Sequence, residues 1–373
     1  MVIKNLKIVL EDEIIENGYL VFDNGLIKEI GRKEYKGEAY DGKGKIAMPG
    51  FIDIHIHGSA AIDFMDAKEE DYKTIAESLY QEGVTTFMAT TLTSDKESLA
   101  RVCATVKNVK DSIPSLGGIH FEGPYISVKY KGAQNEAFIR DPDIKEFDEL
   151  QKISGNNVRY ISMAPEKPGA LEFIKHLPIH GVTVSSGHTD ATFDDVRIAI
   201  EVGLTNTTHT HNAMSPHHHR NPGVVSAAFY FDELYTECIC DKIHVCPDTL
   251  KTFYKIVGAD RFIVITDALK IKNSDVDKFE LFGLPCERKN GAAYLLTGPL
   301  AGSPLKMDQG LRNVKEITNA PLTDLAKITS RNAARSMHFN DRGLIKEGYL
   351  ADVVLLDESL NVKETYKLGK RVF

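Results

Sequence analysis

The sequence predicts a (β/α)8 barrel with a small β-rich domain assembled from both ends of the chain. The chain has 373 residues, and positions 51 to 267 contain eight short runs of β-type residues bounded by Gly, Pro or polar clusters. Successive runs start 23 to 40 residues apart, which leaves room for one strand, one helix and two loops. Because helical patterns fill the gaps, the spacing indicates eight strand-helix units closed into one barrel.

The predicted barrel elements follow one another along the middle of the chain. The strands cover residues 51–57, 84–90, 118–123, 158–165, 182–188, 206–212, 238–244 and 261–267. Apolar residues recur at helical spacing over residues 71–82, and Gly83 then ends that helix. Residues 193–202 form a similar helix, for which Thr192 is the predicted N-cap.

The two ends of the chain predict strands of a different kind. Residues 1–48 contain short alternating segments, with Asn24-Gly25 as a hairpin signal, and residues 342–373 look similar. We therefore expect one β-rich domain built from 1–48 and 342–373, with the barrel, residues 49–341, inserted between its two halves.

Composition and charge exclude several classes of protein. The 45 Lys and Arg against 53 Asp and Glu give a net charge of −8, so the chain lacks the basic surface of a nucleic-acid-binding protein. No apolar stretch approaches the roughly 18 to 20 residues of a membrane span, and the charged N-terminal segment is not a signal peptide. The five Cys residues lack the spacing of a disulfide framework, which favours a reducing compartment. We expect a cytoplasmic protein that binds neither nucleic acid nor membranes.

Several predicted strands end in side chains that can bind metal ions. In the first strand, the two-residue period places Asp53, His55 and His57 on one face and the intervening Ile residues on the other. Neutral imidazole is a good ligand for a borderline divalent ion. Other strands end in Glu122, His188, His209 and Asp267. Because these ends lie on one face of a parallel barrel, the sequence predicts a catalytic metal site at the barrel mouth.

The same residues resemble the amidohydrolase superfamily and, within it, the N-acetylglucosamine-6-phosphate deacetylases. The motifs that carry the narrower resemblance are GxHxEGP (118–124), SGHT (186–189), THxxNAM (208–214) and TDA (266–268). The segment GLIKEGYLADVVLLD (343–357) is similar to the segment with which the chain of that family re-enters its β-sandwich domain after the barrel. The resemblance covers essentially the whole chain and implies that the terminal domain is a β-sandwich.

The resemblance implies a metal-dependent hydrolase that removes the acetyl group from N-acetyl-D-glucosamine 6-phosphate in amino-sugar catabolism and recycling. It assigns Glu122, His188 and His209 to the principal metal ion. Because His55 and His57 are both present, the chain resembles members that hold a second ion, with Glu122 bridging and Asp267 nearby. One or two divalent ions are implied, and zinc, iron, manganese or cobalt suit such ligands. Members of this kind are commonly homodimers.

The resemblance also implies the catalytic groups. Asp267 is expected to act as general base and then as general acid, because a carboxylate beside metal-activated water can take its proton and pass it to the leaving amine. His244 is expected to donate a hydrogen bond to the amide oxygen and stabilise the oxyanion. The alternatives are that Asp267 is only a ligand and that His244 is a structural histidine.

The expected sugar-phosphate contacts come from the resemblance alone. They are Ala133, Gln134, Asn212, Ala213, Arg220, His244, Leu300, Ala301 and Gly302, of which the last-named three are expected to form a lid-like wall. The guanidinium of Arg220 matches phosphate oxygens, and the alternative is a solvated loop cation.

Other reactive side chains predict no further site. The run 217–219 is three adjacent His residues on a loop, which cannot all face one ion but can add positive potential near a phosphate. His120 lies on the same strand face as Glu122 and either supports the site or fills the core, and we favour filler. Cys238, Cys240 and Cys246 suggest a zinc site, but no distal pair matches them, so we interpret them as buried thiols.

Three alternative functions stay open at this point. An N-acetylgalactosamine-6-phosphate deacetylase differs only in its contacts to one hydroxyl. Cyclic-amide amidohydrolases, such as dihydroorotases or hydantoinases, typically bridge two metals with a carboxylated Lys after strand four, and the segment 160–166 contains no Lys. A non-catalytic sugar-phosphate sensor would be expected to have lost a ligand or Asp267, and this chain has kept them all.

Overall fold

Eight parallel strands form the barrel in the computed structural model, which describes residues 1–281 and 283–373. The strands are β1 (Phe51–Asp53), β2 (Val84–Thr91), β3 (Leu116–Glu122), β4 (Val158–Met163), β5 (Thr183–Ser186), β6 (Leu204–Thr207), β7 (Tyr235–Ile239) and β8 (Phe262–Ile265). Each strand pairs with the next along the chain. Residues beyond β1 and β8 complete the ring, because the Asp267 N–H donates to the His55 carbonyl at 2.9 Å. The predicted barrel is confirmed.

One helix follows each barrel strand, as predicted. They are α1 (Asp71–Tyr80), α2 (Lys96–Val109), α3 (Ile144–Ile153), α4 (Ala170–His176), α5 (Phe193–Glu201), α6 (Val224–Tyr230), α7 (Pro247–Val257) and α8 (Met307–Thr318). Two short helices, α9 (Leu322–Ala326) and α10 (Asn332–Ser336), follow, with a π-helical turn between them. Thr192 caps α5 in a capping box with Asp195, which confirms the predicted N-cap.

Several predicted strands extend too far toward the mouth. The seventh was expected over 238–244, but β7 ends at Ile239, and the chain then turns around Asp241, whose Oδ1 accepts hydrogen bonds from the amides of Ile243 and His244. The sixth was expected over 206–212, but β6 ends at Thr207. These residues leave the sheet because local turns take over their backbone hydrogen bonds.

The predicted alternation of the first strand holds only in part. Ile52 and Ile54 pack in the barrel interior, whereas Ile56 packs in the outer cluster between strands and helices. The prediction of one common Ile face was therefore wrong, because β1 ends at Asp53 and a strict two-residue period stops there.

Both termini contribute to one eight-stranded sheet. Its strands are Val2–Val9, Ile14–Asp23, Leu26–Gly31, Tyr40–Asp41, Ile46–Pro49, Val353–Leu356, Val362–Lys367 and Lys370–Arg371. The turn at Asn24 (φ 49°) and Gly25 (φ 81°) forms the predicted hairpin. The C-terminal strand Val353–Leu356 pairs antiparallel with Ile46–Pro49, which joins the two halves of the domain. The exact domain bounds, 1–48 with 342–373 and 49–341, stay a prediction.

A four-stranded antiparallel sheet after β8 was not predicted. Its strands are Lys278–Leu281, Leu284–Lys289, Ala292–Leu295 and Leu300–Gly302, and a small hairpin pairs Gly58–Ser59 with Ile62–Asp63. Asn290-Gly291 between the second and third strands of the sheet was an available hairpin signal. The last strand carries the residues expected to form the lid-like wall.

An apolar layer closes the base of the barrel and leaves the opposite end open. Ile54, Tyr160 and Ile265 pack in this layer against Ala333 and Met337 of the C-terminal helical segment. Polar side chains therefore line the other end, where the metal-binding residues were predicted. Among the described residues, none of the helices is both long enough and apolar enough to cross a membrane.

Candidate metal and active site

Two groups of potential metal ligands lie buried at the open end of the barrel. In each group the ligand atoms lie within 4.8 Å of one another. The groups are His55 with His57 and Asp267, and Glu122 with His188 and His209. The structure thus brings together all six residues that were expected to bind metal.

Glu122 connects the two groups. Its Oε1 lies 3.1 Å from both His188 Nε2 and His209 Nε2, and 3.2 Å from His55 Nε2. Its Oε2 lies 3.3 Å from His57 Nε2. Asp267 Oδ1 reaches the same pair of rings, at 3.2 Å from His57 and 3.5 Å from His55. One carboxylate therefore bridges both groups, and a second closes one of them.

The orientation of the imidazoles fits a divalent ion. The Nδ1–H groups of His188 and His209 donate to the carbonyls of Tyr130 at 2.9 Å and Asn212 at 3.1 Å. Both Nε2 atoms then face Glu122 and each other, 3.1 Å apart. His55 Nε2 is buried, faces the cluster and makes no hydrogen bond. Buried imidazole nitrogens with carboxylate oxygens are the donor set of zinc and similar metals.

Glu237 is a supporting residue that the sequence reasoning missed. Its Oε2 lies 3.2 Å from His55 Nδ1 and accepts the backbone N–H of His209 at 3.1 Å, while its Oε1 accepts the Tyr160 hydroxyl at 2.6 Å. A carboxylate on the far nitrogen of a ligand His fixes the ring's orientation and tautomer. The available signal was the β7 alternation, which places Glu237 on the inward face beside Ile239.

His120 supports the site, so its interpretation as filler was incomplete. Its Nε2 lies 2.7 Å from Ser162 Oγ and its Nδ1 3.2 Å from Thr90 Oγ1. The ring packs edge-on against His55, with centroids 4.7 Å apart. Burial holds the pKa of His120 well below its ordinary value, so this ring is neutral beneath the ligands.

The backbone is strained where the site residues leave their strands. His188, His209 and Asp267 have φ angles of 49°, 31° and 46°, in the left-handed region that non-glycine residues rarely adopt. Strain of this kind persists only where the surrounding structure holds it, and it concentrates at functional sites. The turns direct the three side chains inward from the strand ends.

A loop after β3, residues 129–134, makes hydrogen bonds to two of the candidate ligands, His188 and Glu122. Tyr130 supplies the carbonyl that orients His188, and Gln134 Nε2 donates to Glu122 Oε2 at 2.5 Å. Gly132 has φ 57°, and a Cβ there would lie 3.3 Å from His188 Cε1, so both its conformation and its contact favour glycine. In the structure the Gln134 amide donates to the carboxylate that connects the two groups, and the expected contact of Gln134 with the sugar stays a prediction.

His244 lies beyond β7 and is held by Asp241. Its Nδ1–H donates to Asp241 Oδ2 at 2.6 Å, which leaves Nε2 for another partner. Burial lowers the pKa of His244, but the hydrogen bond and charge of Asp241 outweigh burial and raise the pKa above its ordinary value. The ring is therefore a preorganised proton or hydrogen-bond donor.

These residues surround one cavity of about 290 Å³, near the lower end of the roughly 300–1,000 Å³ typical of small-molecule sites. Eight of the nine expected sugar-phosphate residues line it together with candidate metal ligands of both groups. They are Ala133, Gln134, Asn212, Ala213, His244, Leu300, Ala301 and Gly302. Lys129 and Tyr130 also line the cavity and were not predicted.

Arg220 is the ninth expected residue, and it does not line this cavity. It is exposed and borders a neighbouring groove with His218. Lys129 and Tyr130 lie between the two spaces and border both. Within one chain, the guanidinium is therefore beside the cavity rather than in it.

The remaining reactive residues have separate surroundings. His217 contacts Ser226, His218 accepts backbone N–H groups, and His219 contacts Arg220, so the three rings do not converge. Cys238 and Cys240 are buried as expected. The prediction for Cys246 was wrong, because it is the exposed residue before α7.

Comparison with known proteins identifies the family. Residues 46–372 match the model of the amidohydrolase family. The chain belongs to this family. A family of metal-dependent enzymes agrees with the two groups of ligands at the mouth.

Individual relatives narrow the comparison. The chain is 36% identical to the N-acetylglucosamine-6-phosphate deacetylase of Lysinibacillus sphaericus, over 99% of this chain and 97% of the relative. It is 31% identical to the N-acetylgalactosamine-6-phosphate deacetylase of Escherichia coli O157:H7, over 87% of both chains. A solved variant of the N-acetyl-D-glucosamine-6-phosphate deacetylase of Mycobacterium smegmatis, in complex with N-acetyl-D-glucosamine 6-phosphate, has a TM-score of 0.95 at 28% identity and covers 100% of this chain and 99% of its own.

Proposed function

We propose that this protein hydrolyses N-acetyl-D-glucosamine 6-phosphate to D-glucosamine 6-phosphate and acetate, a step of amino-sugar catabolism and recycling. The observation that carries the proposal is the convergence of the Glu122-bridged cluster, Asp267 and His244 on one cavity. Its similarity to the named deacetylases over nearly the whole chain supports the substrate class.

Glu122, His188 and His209 would hold one divalent ion, and His55 and His57 together with Glu122 would hold a second. A bound divalent ion would lower the pKa of water and polarise the acetyl carbonyl. Zinc, iron, manganese and cobalt all suit these nitrogen and oxygen donors.

Asp267 is assigned the proton transfers. Its carboxylate lies at the cavity wall, 3.2 Å from His57 Nε2. It accepts a proton from the attacking water as the water oxygen bonds to the acetyl carbon. It then returns the proton to the amide nitrogen as the C–N bond breaks, which releases acetate and the free amine.

His244 is assigned to the oxygen of the acetyl group. Because Asp241 occupies Nδ1, the Nε2–H is free to donate to the carbonyl oxygen as negative charge develops on it. A donor held in place before the reaction needs no reorganisation in the transition state. Other residues that line the same cavity as His244, among them Ala301, would enclose the sugar.

We also infer a homodimer in the cytoplasm. The homodimer follows from the resemblance to the deacetylases. The five cysteines are all free, which agrees with a reducing compartment. Sedimentation equilibrium of the purified protein measures the oligomeric state directly.

The proposed function is tested by acetate release from three substrates in metal-replete buffer. They are N-acetylglucosamine 6-phosphate, its epimer N-acetylgalactosamine 6-phosphate, and unphosphorylated N-acetylglucosamine. We expect the highest kcat/KM for the phosphorylated glucosamine. Preference for the epimer would favour the function named for the Escherichia coli relative, and no acetate from any of the three would overturn the proposal.

Asp241→Asn is expected to lower kcat by about 10²-fold, the scale of losing one oxyanion donor. Asp241 raises the pKa of His244, so the protonated ring persists to higher pH in the wild type and is lost as pH rises through that raised pKa. Without the carboxylate the pKa falls, and the alkaline limb of the kcat profile should move to lower pH. An unchanged limb would contradict the assigned role.

We infer that the phosphate lies toward the groove beside the cavity, which Arg220 borders. Arg220→Ala is then expected to raise KM for the phosphorylated substrate about tenfold, on the scale of one charge-assisted hydrogen bond. Turnover of the unphosphorylated sugar should change little. Arg197→Ala, which removes an exposed guanidinium on α5, is the matched control. Equal losses for both sugars would place Arg220 outside phosphate recognition.

A further inference from the structure

We propose that Asp148, His176 and His180 form a surface site for a divalent transition-metal ion such as zinc, separate from the barrel mouth. The three side chains offer two imidazole nitrogens and a carboxylate oxygen, all within 4.8 Å of one another. None of these residues belongs to the cavity of the proposed deacetylase site.

The site is formed where two neighbouring helices meet on the outside of the barrel. His176 is the last residue of α4, and His180 ends the 3₁₀ turn that continues it, residues Leu177–His180. The two imidazole rings are neighbours, with centroids 4.6 Å apart. Asp148 lies in the middle of α3 and faces this pair.

The distances between the donor atoms match the span of a metal polyhedron. His176 Nε2 lies 2.7 Å from Asp148 Oδ1 and 3.1 Å from His180 Nε2, and His180 Nε2 lies 3.9 Å from Asp148 Oδ1. Ligand atoms at 2.0 to 2.1 Å from a tetrahedral zinc ion are roughly 3.3 Å apart. The three observed separations are distributed around that value, so small side-chain rotations suffice to place an ion between them.

Packing holds the two rings in this arrangement. Both contact the buried ring of Phe147 edge-on, with centroid distances of 6.2 Å for His176 and 6.0 Å for His180. Phe147 precedes Asp148 on α3, so one segment supplies both the support and the carboxylate. The approach of the two Nε2 atoms requires one nitrogen to carry a proton and the other to accept it, whereas a metal ion satisfies both lone pairs at once.

Exposure determines what kind of site this is. The side chains of His176, His180 and Asp148 are 24%, 35% and 46% exposed, so water can complete the coordination. Two nitrogens and one oxygen select zinc, cobalt or nickel over calcium or magnesium, which prefer oxygen ligands. An ion here would connect the middle of α3 to the end of the α4 segment.

The test counts zinc in the intact enzyme with the mouth site loaded. Wild type, the double variant His176→Gln/His180→Gln and Asp148→Asn are dialysed against the same series of free Zn²⁺ concentrations, and bound zinc per chain is measured by plasma mass spectrometry. His338→Asn, which removes an exposed His elsewhere, is the matched control. Acetate release verifies that each variant is folded, because the substituted residues are not part of the cavity.

We expect the wild type and His338→Asn to bind one zinc ion per chain more than the double variant, with the same deacetylase activity in all. Asp148→Asn should lower the affinity for that additional ion by roughly tenfold or more, because the variant loses the charged ligand. Equal zinc content in the wild type and an active double variant at every concentration would overturn the proposal.

Discussion

Asp267→Asn is expected to lower kcat/KM for deacetylation by about 10³-fold, within the range of roughly 10² to 10⁴ that a general acid–base contributes. The amide retains the shape of the side chain but cannot accept a proton from water. The backbone bonds of Asp267 to the His55 carbonyl and the Ser303 amide are retained, so the fold should survive. Initial rates of acetate release measure the loss.

Metal content separates a proton-transfer role from a ligand role. If Asp267 moves protons, the variant should retain the ion assigned to Glu122, His188 and His209, because those contacts are unchanged. Asp232→Asn, on a carboxylate whose side chain is 94% exposed, is the control and should retain full activity. Activity of Asp267→Asn within threefold of wild type would remove Asp267 from the mechanism.

Glu122→Gln is expected to abolish both metal binding and activity. Glu122 Oε1 lies within 3.2 Å of three imidazole Nε2 atoms, so its carboxylate is the one anion shared by both ligand groups. A neutral amide supplies only one acceptor oxygen and no charge. We expect less than one ion per chain after dialysis. We also expect kcat/KM to fall by more than the roughly 10–100-fold that is typical when a residue hydrogen-bonded to a metal ligand is lost.

Glu237→Gln is the matched comparison for Glu122→Gln. Glu237 contacts His55 only at Nδ1, the ring nitrogen that faces away from the cluster. As an amide, the side chain can retain its contact with the Tyr160 hydroxyl. It should therefore show the smaller effect, roughly 10–100-fold in metal affinity. If both variants lost metal and activity equally, Glu122 would be a supporting residue rather than the bridging ligand.

The architecture of the barrel was predictable because its signals are local. Strand-helix units contain local signals, such as the apolar period of a helix or the Thr192 N-cap at the start of α5, and the strand-helix unit repeats eight times. The strand ends were less predictable, because the turn around Asp241 competes with β7 for the same backbone groups. The four-stranded sheet was missed for a similar reason, since its strands depend on one another rather than on a repeated unit.

The sequence by itself determined the kind of candidate ligand at the ends of five of the eight strands and their order along the chain: two His, then Glu, His, His and Asp. A parallel barrel places those positions at one end, so a metal site followed from topology. The residues alone, without the resemblance, could not determine that Glu122 joins the groups, and nothing in the sequence indicated that Glu237 supports His55 or that Arg220 lies outside the cavity.

Only the tertiary structure decided those points, because they depend on distances between residues far apart in the chain. His55 and Glu237 are separated by 182 positions, and Glu122 and His209 by 87. Left-handed turns at His188, His209 and Asp267 then set the direction of each side chain, and such backbone conformations are stabilised by neighbouring strands rather than by the local sequence.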